Sequence, residues 1–223
     1  AKDVQDSLDF LLVKAKIRAA SSSRQEALQY FDAGPATANG RIARGYGTAV
    51  VLRRARDFAA AEKEVNQLRA RGPQHPMIES LAAGIKRDQG QQAAALDLYR
   101  AGLRLFPQYR SLVYGELETL IDQKNYNDAL KAVNERLKSG QDEEKLYDLQ
   151  SKIYAGLGKR LLQHQAQAEV YYRRGNLPAA ADQLQIALRS GDGDFYQASS
   201  VEARLREIRT EIGPGKAGAR DKP

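Results

Sequence analysis

The sequence lacks several residue types that whole classes of protein require. Its 223 residues include no cysteine, no tryptophan and only two histidines. Without cysteine the chain can form no disulfide, no cysteine-ligated zinc site and no thiol nucleophile. The longest purely aliphatic and aromatic run, Phe10–Val13, is far too short to cross a membrane as a helix. The composition that remains, 42% hydrophobic and 28% charged, is typical of a folded chain with a buried core.

The two histidines do not form a recognisable metal or catalytic motif. His75 lies between two prolines in a predicted loop, where we expect it to be exposed, and His164 lies on a predicted helix. Neither belongs to the zinc motif His-Glu-x-x-His, and no serine stands in a pattern that indicates a catalytic triad. The sequence therefore predicts no catalytic residue, no metal ligand and no cofactor in this chain.

A 34-residue period organises most of the sequence. Four alanines recur at this spacing: Ala27, Ala61, Ala95 and Ala129. Each is followed four residues later by a large apolar side chain: Phe31, Val65, Tyr99 and Val133. A small residue is needed where two helices cross closely, and a large one fills the space beside the crossing. The pattern predicts a helical hairpin repeated four times, with stacked hairpins sharing one core.

The period is interrupted once, because the pattern returns at Ala180, 51 residues or one and a half periods after Ala129. The extra half period predicts an additional helix near 144–157. No alternation of apolar and polar residues indicates a strand, so the predicted fold class is all-α. The expected organisation, in chain order, is four repeats in 6–143, then the extra helix, a fifth repeat and a capping helix (198–212) in 144–212, and a disordered tail in 213–223.

The period and the alternation of small and large residues resemble the tetratricopeptide repeat. The resemblance is strongest in 168–187, where the small residue, the tyrosine, the Gly-Asn turn and the alanines all stand at the family's positions. It implies a tetratricopeptide-like solenoid of helical hairpins, wound as a right-handed superhelix, that binds proteins or peptides.

The same resemblance implies where a ligand would dock, on the concave face formed by the first helix of each repeat. The groove residues mapped in this way are Leu12, Lys16, Tyr46, Val50, Arg53, Arg54, Ser80, Gly84, Arg87, Tyr114 and Glu118. Arginine forks hold carboxylates, and tyrosines offer a flat apolar face with a polar tip. We expect the three arginines to form a cationic stripe for an acidic peptide or a C-terminal carboxylate. The alternative for each residue is a solvated surface position or a contact with a neighbouring domain.

The C-terminal half resembles a narrower family. The runs 146–160, 163–177 and 191–196 are similar to the C-terminal repeat region of the periplasmic β-barrel assembly-enhancing zinc metalloproteases, and 6–18 is similar to the start of that region. The resemblance implies that this chain is the non-catalytic part of a periplasmic protease that acts in outer-membrane protein assembly and quality control.

That family context carries further expectations. It implies zinc only in an N-terminal protease domain, which would be a partner in cis, and it implies the outer-membrane assembly machinery or its substrates as further partners. It also implies that His164, Tyr171 and Tyr172 face the groove near the protease domain.

Two other functions stay open on the sequence alone. The chain could be a stand-alone adaptor that scaffolds an envelope multiprotein complex. It could also bind RNA or an anionic membrane through 41–71, where eight cations accompany three anions. No motif of interleaved aromatic and basic residues supports stacking on bases. Peptide binding is therefore favoured, and no nucleic-acid partner is expected.

Overall fold

The computed structural model describes residues 7–141 and 143–213. Within these residues the chain forms twelve α-helices and no strand, which confirms the all-α prediction. In chain order the helices are α1 (Leu8–Ser21), α2 (Arg24–Asp32), α3 (Ala38–Arg54), α4 (Phe58–Arg71), α5 (Pro76–Asp88), α6 (Gln92–Leu105), α7 (Arg110–Asp122), α8 (Tyr126–Lys138), α9 (Glu144–Gly156), α10 (Arg160–Arg173), α11 (Leu177–Arg189) and α12 (Phe195–Ile212).

Several of these helices are capped at their N-terminus by a side chain. At the start of α2, the Ser23 hydroxyl accepts a hydrogen bond from the backbone N–H of Glu26, and the Glu26 carboxylate accepts one from the backbone N–H of Ser23. Asp194 and Gln197 form a second capping box and start α12 at Phe195, slightly earlier than the sequence predicts. Such caps satisfy N–H groups that have no partner inside the helix.

The 34-residue period is visible in the backbone as well as in the side chains. Four residues at this spacing end a helix in the left-handed region, with φ between 57° and 77°: Arg56, Gly90, Lys124 and Gly158. At the first of them, the backbone N–H of Asp57 donates to the carbonyl of Leu52 at 2.9 Å. This bond is the signature of a Schellman ending, which turns the chain sharply out of one helix toward the next.

The chain divides into two compact units, Ala1–Thr119 and Leu120–Pro223, and the boundary falls within α7. We call them unit 1 and unit 2 and describe each by itself. The recurring alanines are fully buried in both units, at Ala27, Ala61 and Ala95 in unit 1 and at Ala129 in unit 2. The small residues of the period therefore lie where helices pack closely.

Two glycines in unit 1 show how closely the helices approach. A Cβ added at Gly47 would lie 2.2 Å from Cζ of Phe31, and one added at Gly115 would lie 2.1 Å from Cε1 of Tyr99. Each ring belongs to the second helix of one hairpin and covers the first helix of the next. The large residue of the predicted pattern therefore fills a gap that a missing side chain leaves open.

Unit 2 contains the interruption of the period, which in the backbone falls after Gly158, because the next left-handed turn, at Gly175, comes 17 residues later. Helix α9 lies in the interval where the extra helix is expected, and α10 packs against both α9 and α11. Helix α12 packs on α11 and buries Val201, Leu205 and Ile208 against the core of this unit. Of the predicted tail, only Gly213 lies among the described residues.

Candidate functional site

Unit 1 contains an open groove of about 340 Å³ lined by three successive first helices of the hairpins. Helices α1, α3 and α5 supply most of its walls, and the start of α7 with the turn before it closes one end. The lining residues are Lys16, Tyr46, Val50, Arg53, Arg54, Met77, Ser80, Leu81, Asp88, Tyr109 and Ser111. Six of these residues are groove residues predicted from the sequence, and the structure brings them together: Lys16, Tyr46, Val50, Arg53, Arg54 and Ser80.

The repeat explains why these side chains converge. Lys16 and Val50 are 34 residues apart, and so are Tyr46 and Ser80. Because each hairpin repeats the same helix orientation, residues one period apart line the same face of neighbouring helices. A groove built in this way has a floor and walls that are set by the period.

Arg53 lies across the groove and links two of its helices. Its Nε is 2.6 Å from Oδ2 of Asp88, so α3 and α5 are joined by an ion pair at the groove edge. The guanidinium passes directly over Gly84, because a Cβ added there would lie 2.6 Å from Nη1 of Arg53. The missing side chain of this glycine is what allows the arginine to reach the carboxylate.

The other two cations of the groove differ in how firmly they are held. Arg54 donates from Nη1 to the backbone carbonyl of Ala19, in the last turn of α1, where carbonyls lack partners inside the helix. Lys16 is exposed, and within residues 7–141 and 143–213 it makes no ion pair. The rim of the groove therefore carries one exposed ammonium that can pair with a carboxylate of a ligand. It also carries two arginines whose orientations are fixed by contacts with neighbouring helices.

Two tyrosines form the apolar part of the groove. Tyr46 is 4% exposed, and burial raises the pKa of its phenol, with Tyr109 adding to the rise and Arg53 opposing it. Burial likewise raises the pKa of Tyr109, with the nearby Asp9 adding to it and a hydrogen bond with Ser111 lowering it. Both phenols are therefore neutral at physiological pH and present apolar rings with one polar tip each.

The raised pKa of Tyr46 predicts a loss of stability at alkaline pH. Above its ordinary pKa of 10.0 the unfolded chain loses the phenolic proton while the folded chain keeps it, so the free energy of unfolding falls as the pH rises through this window. We expect Tyr46→Phe to flatten that fall. Urea denaturation at a series of pH values above about 9.5 measures it. Tyr196→Phe is the control, because this ring is 82% exposed, and equal slopes for all three proteins would contradict the prediction.

The structure places the remaining predicted residues of unit 1 away from the groove lining. Leu12 is fully buried, so it is a core residue and does not line the groove. Arg87 and Glu118 form an ion pair across α5 and α7, with Nη1 and Oε2 2.7 Å apart. Tyr114 is half-buried on α7. Of the three arginines of the predicted cationic stripe, Arg53 and Arg54 line the groove and Arg87 does not.

The three predicted residues of the C-terminal half lie in unit 2, against neighbouring helices. The ring nitrogen Nδ1 of His164 is 2.9 Å from Oε1 of Gln183 on α11. Tyr171 packs against the core of this unit. The Tyr172 hydroxyl donates to Glu211 on α12 at 3.2 Å. All three are half-buried contacts between helices of unit 2.

Sequence reasoning missed several residues of the groove. Asp88 stands one period after Arg54, so the repeat itself carried a signal for it. Tyr109 lies in the turn between α6 and α7, one period after His75, so the repeat carried a signal for its place but not for its side chain. The expectation that His75 is exposed is wrong: only 12% of its side chain is exposed, because Nδ1 accepts from the backbone N–H of Met77 and caps α5.

The cations of 41–71 do not form a continuous free surface. Arg44 donates to three backbone carbonyls at the end of α2, those of Phe31, Asp32 and Gly34. Arg69 is paired with Glu79, with Nη2 and Oε2 3.0 Å apart. Together with Arg53 and Arg54, several arginines of this stretch serve to join helices to one another.

Comparisons with known proteins bear on the fold. Residues 86–153 match the family model described as tetratricopeptide repeat. A tetratricopeptide repeat protein from Parabacteroides merdae ATCC 43184 superposes with a TM-score of 0.54 at 13% identity, covering 90% of this chain and 84% of that chain. The chain folds as an all-α, tetratricopeptide-like solenoid of helical hairpins. This confirms the predicted repeat architecture, and domains of this kind generally mediate protein–protein interactions.

Two further solved structures resemble this chain. A thermophilic tetratricopeptide-repeat protein of Thermus thermophilus has a TM-score of 0.45 at 16% identity, covering 91% of this chain and 98% of that chain. BtubC from P. vanneervenii has a TM-score of 0.37 at 14% identity, covering 98% and 97%. None of the curated proteins matches the chain.

Among its described residues, the chain brings no three His, Asp or Glu side chains into an arrangement that could hold a metal ion. In the same part of the chain, none of the helices has both the length and the hydropathy needed to span a membrane.

Proposed function

We propose that this chain is a non-catalytic protein-binding module and that the groove of unit 1 holds an extended segment of a partner protein. The observation that carries the proposal is the convergence of Lys16, Tyr46, Val50 and Arg53 from successive helices onto one open groove. An extended segment exposes its backbone carbonyls and alternate side chains, which suits a long groove with repeated contacts.

The chemistry of the lining indicates the kind of segment. Tyr46, Val50 and Met77 offer apolar contact, which favours a partner with one or two large apolar side chains. Lys16 and the arginines favour carboxylates beside those side chains. The proposed ligand is therefore an extended peptide with apolar residues flanked by Asp, Glu or a C-terminal carboxylate.

We further propose the wider setting that the C-terminal half suggests. In this setting the chain is the C-terminal part of a periplasmic zinc-dependent metalloprotease that acts in outer-membrane protein assembly and quality control. Zinc and catalysis would belong to an N-terminal protease domain in cis, and the assembly machinery or its substrates would be the partners. What supports this proposal is the residue pattern of 146–160, 163–177 and 191–196.

A stand-alone adaptor for an envelope complex is the second candidate. It is favoured by the fact that helices of unit 1 alone supply the groove lining. Such a groove needs no protease domain in order to bind. The two settings therefore share the binding function and differ in the partner.

The binding function is tested by selecting 12-residue peptides from a displayed random library on the purified chain. We expect enrichment of peptides that combine apolar and acidic residues, with affinities that fall as salt rises. Lys16→Glu should weaken the selected peptides about tenfold, because a favourable contact becomes a repulsive one. Lys63→Glu is the matched control, since this exposed lysine lies on α4 outside the groove. No enrichment, or equal loss in both variants, would reject the groove.

The setting is tested separately with a photo-crosslinking amino acid at position 50 of the protein expressed in a Gram-negative periplasm. Crosslinks to outer-membrane proteins or their assembly machinery would support the protease setting. Crosslinks to other envelope complexes, or to none, would reject it while leaving the peptide selection as an independent test of the groove.

A further inference from the structure

The outer face of α1 carries large apolar side chains that nothing in the described structure covers. Phe10, Val13 and Ile17 are 53%, 48% and 63% exposed. They stand at helical spacing, so they form one stripe. Together with Tyr30 of α2, they line an open depression with a volume of about 620 Å³. We call this stripe the α1 face.

The repeat shows what normally covers this face. One, two and three periods after Val13 stand Gly47, Leu81 and Gly115, and all three are buried. The equivalents of Ile17 are buried as well, at Val51, Ile85 and Thr119. The equivalents of Phe10 are half-buried or buried, at Arg44, Ile78 and Leu112.

The cover in these later repeats is always the second helix of the preceding hairpin. Phe31 of α2 sits over Gly47, and Tyr99 of α6 sits over Gly115. Helix α4 packs in the same way against α5, where the equivalent pair is Val65 and Leu81. The α1 face is thus the first position of a stacking interface whose later positions are all occupied by a helix.

Two ion pairs within the later repeats define the charges that such a helix would carry. Glu62 of α4 pairs with Lys86 of α5, and Lys86 stands two periods after Arg18. In the second pair, Nε of Arg100 is 3.2 Å from Oε1 of Glu116. Glu116 stands three periods after Lys14. At this position of the repeat α7 has a glutamate and α1 has a lysine, so the charge is reversed. A helix that covers α1 should therefore carry an acid where α6 carries Arg100.

Lys14 and Arg18 are positioned at the edges of the α1 face. Nζ of Lys14 lies 6.0 Å from the centre of the Phe10 ring, and the guanidinium of Arg18 lies 4.9 Å from the centre of the Tyr30 ring. These contacts hold two cations beside an apolar stripe. Hydrogen bonds with Ser23 lower the pKa of the Glu26 carboxyl of α2, and Arg18 lies close enough to help lower it. A neutral or basic helix, by contrast, would give neither cation a new countercharge once water is removed.

We propose that the α1 face docks an amphipathic α-helix of a partner protein, with the pattern that the stacking interface dictates. The pattern starts at a small residue, which corresponds to the recurring alanine of the repeat. One residue later the helix has an acid that meets Arg18. Four residues later it has an apolar side chain that meets Val13, and five residues later an acid that meets Lys14. Because Val13 is larger than the glycines of the later repeats, the apolar residue is Val, Leu or Ile. An aromatic residue fits only over a glycine.

The chain itself supplies the probe and its control. A synthetic peptide of 57–72, with Asn66→Glu and a lactam between Lys63 and a glutamate replacing Gln67, carries this pattern at Ala61, Glu62 and Val65. Both lactam positions are exposed in α4, so the bridge holds the helix without covering its apolar side. A peptide of 91–106, bridged in the same way between two exposed positions four apart, is the control. Counted from Ala95, it carries Leu96, Tyr99 and Arg100 at the three positions where the first peptide has an acid, an apolar residue and a second acid.

Titration of both fluorescent peptides with the full chain tests the proposal. We expect saturable binding of the first peptide and at least about tenfold weaker binding of the second. Val13→Asp should lower affinity for the first peptide by at least about tenfold, because a buried apolar contact is replaced by a carboxylate. Leu105→Asp, at a residue that is 50% exposed elsewhere in unit 1, should leave it unchanged. Unchanged circular dichroism would show that both variants fold.

Three results would overturn the proposal. The first is equal binding of the two peptides, and the second is equal binding by wild type and Val13→Asp. The third is concentration-dependent self-association of the wild-type chain that Val13→Asp abolishes, since the occupant would then be a second copy of this chain. Lys16→Glu in the groove should leave binding to the α1 face unchanged, which separates this surface from the proposed groove.

Discussion

Gly47→Val is expected to lower the free energy of unfolding of unit 1 by about 3 kcal/mol. The new side chain would enter the space of the Phe31 ring, since even its Cβ would lie 2.2 Å from Cζ of that ring. The ring is 3% exposed and is held by the core, so it cannot swing into solvent without losing its burial. Urea denaturation followed by far-ultraviolet circular dichroism measures the change, and hydrogen exchange assigns it to unit 1.

A double-mutant cycle tests the cause of this loss. Phe31→Ala alone should cost about 3 to 5 kcal/mol because it leaves a cavity. In the double variant the valine occupies part of that cavity, so the combined loss should be smaller than the sum by at least about 1 kcal/mol. Thr48→Val, at the next position of α3, is the control and should change stability by less than about 0.5 kcal/mol. Additive losses would show that the ring and the glycine are not coupled.

Removal of the Glu169 carboxylate is expected to destabilise unit 2 by a similar amount. Its two oxygens accept from Nη1 of Arg173 at 2.7 Å and from Nε of Arg204 at 2.8 Å. All three side chains are at most 25% exposed. Glu169→Ala would leave two guanidinium groups close together with no carboxylate between them, which should cost about 3 kcal/mol.

The matched control is the second carboxylate of the same network. Glu207 also pairs with Arg204, at 3.0 Å, but it is 61% exposed. Glu207→Ala should therefore cost less than about 1 kcal/mol. Glu169→Gln keeps an acceptor but loses the charge and should fall between the two. Equal effects of the Glu169 and Glu207 variants in urea denaturation would show that burial does not govern this network.

The sequence alone was enough to predict the repeat and the positions at which its helices cross. Ala27, Ala61, Ala95 and Ala129 predicted where helices cross, and every one is fully buried. The all-α class and the interruption of the period near 144–157 follow from residue spacing in the same way. These features are local and periodic, so they depend on which residues recur and at what distance.

The functional surfaces required the tertiary structure. Leu12 and Tyr46 stand one period apart, yet one is a core residue and the other lines a groove. A period predicts the face of a helix on which a residue lies, but the neighbouring elements decide how deeply that face is covered. His75 and Tyr109 also stand one period apart, each directly before a helix, yet Tyr109 lines the groove while His75 caps α5.

The sequence by itself thus determined the number of hairpins, their turns and the residues at which they cross, because these depend on spacing along the chain. Only the tertiary structure decided which cations are exposed and which are engaged, and which apolar stripe stays exposed among the described residues. Arg54 and Lys16 are both cations on the predicted concave face, but a carbonyl of α1 holds one while the other stays exposed. Phe10 and Ile78 occupy the same place in the repeat, but among the described residues Phe10 is 53% exposed while Ile78 is fully buried. Burial and pairing depend on what lies across the contact, and that is decided in three dimensions.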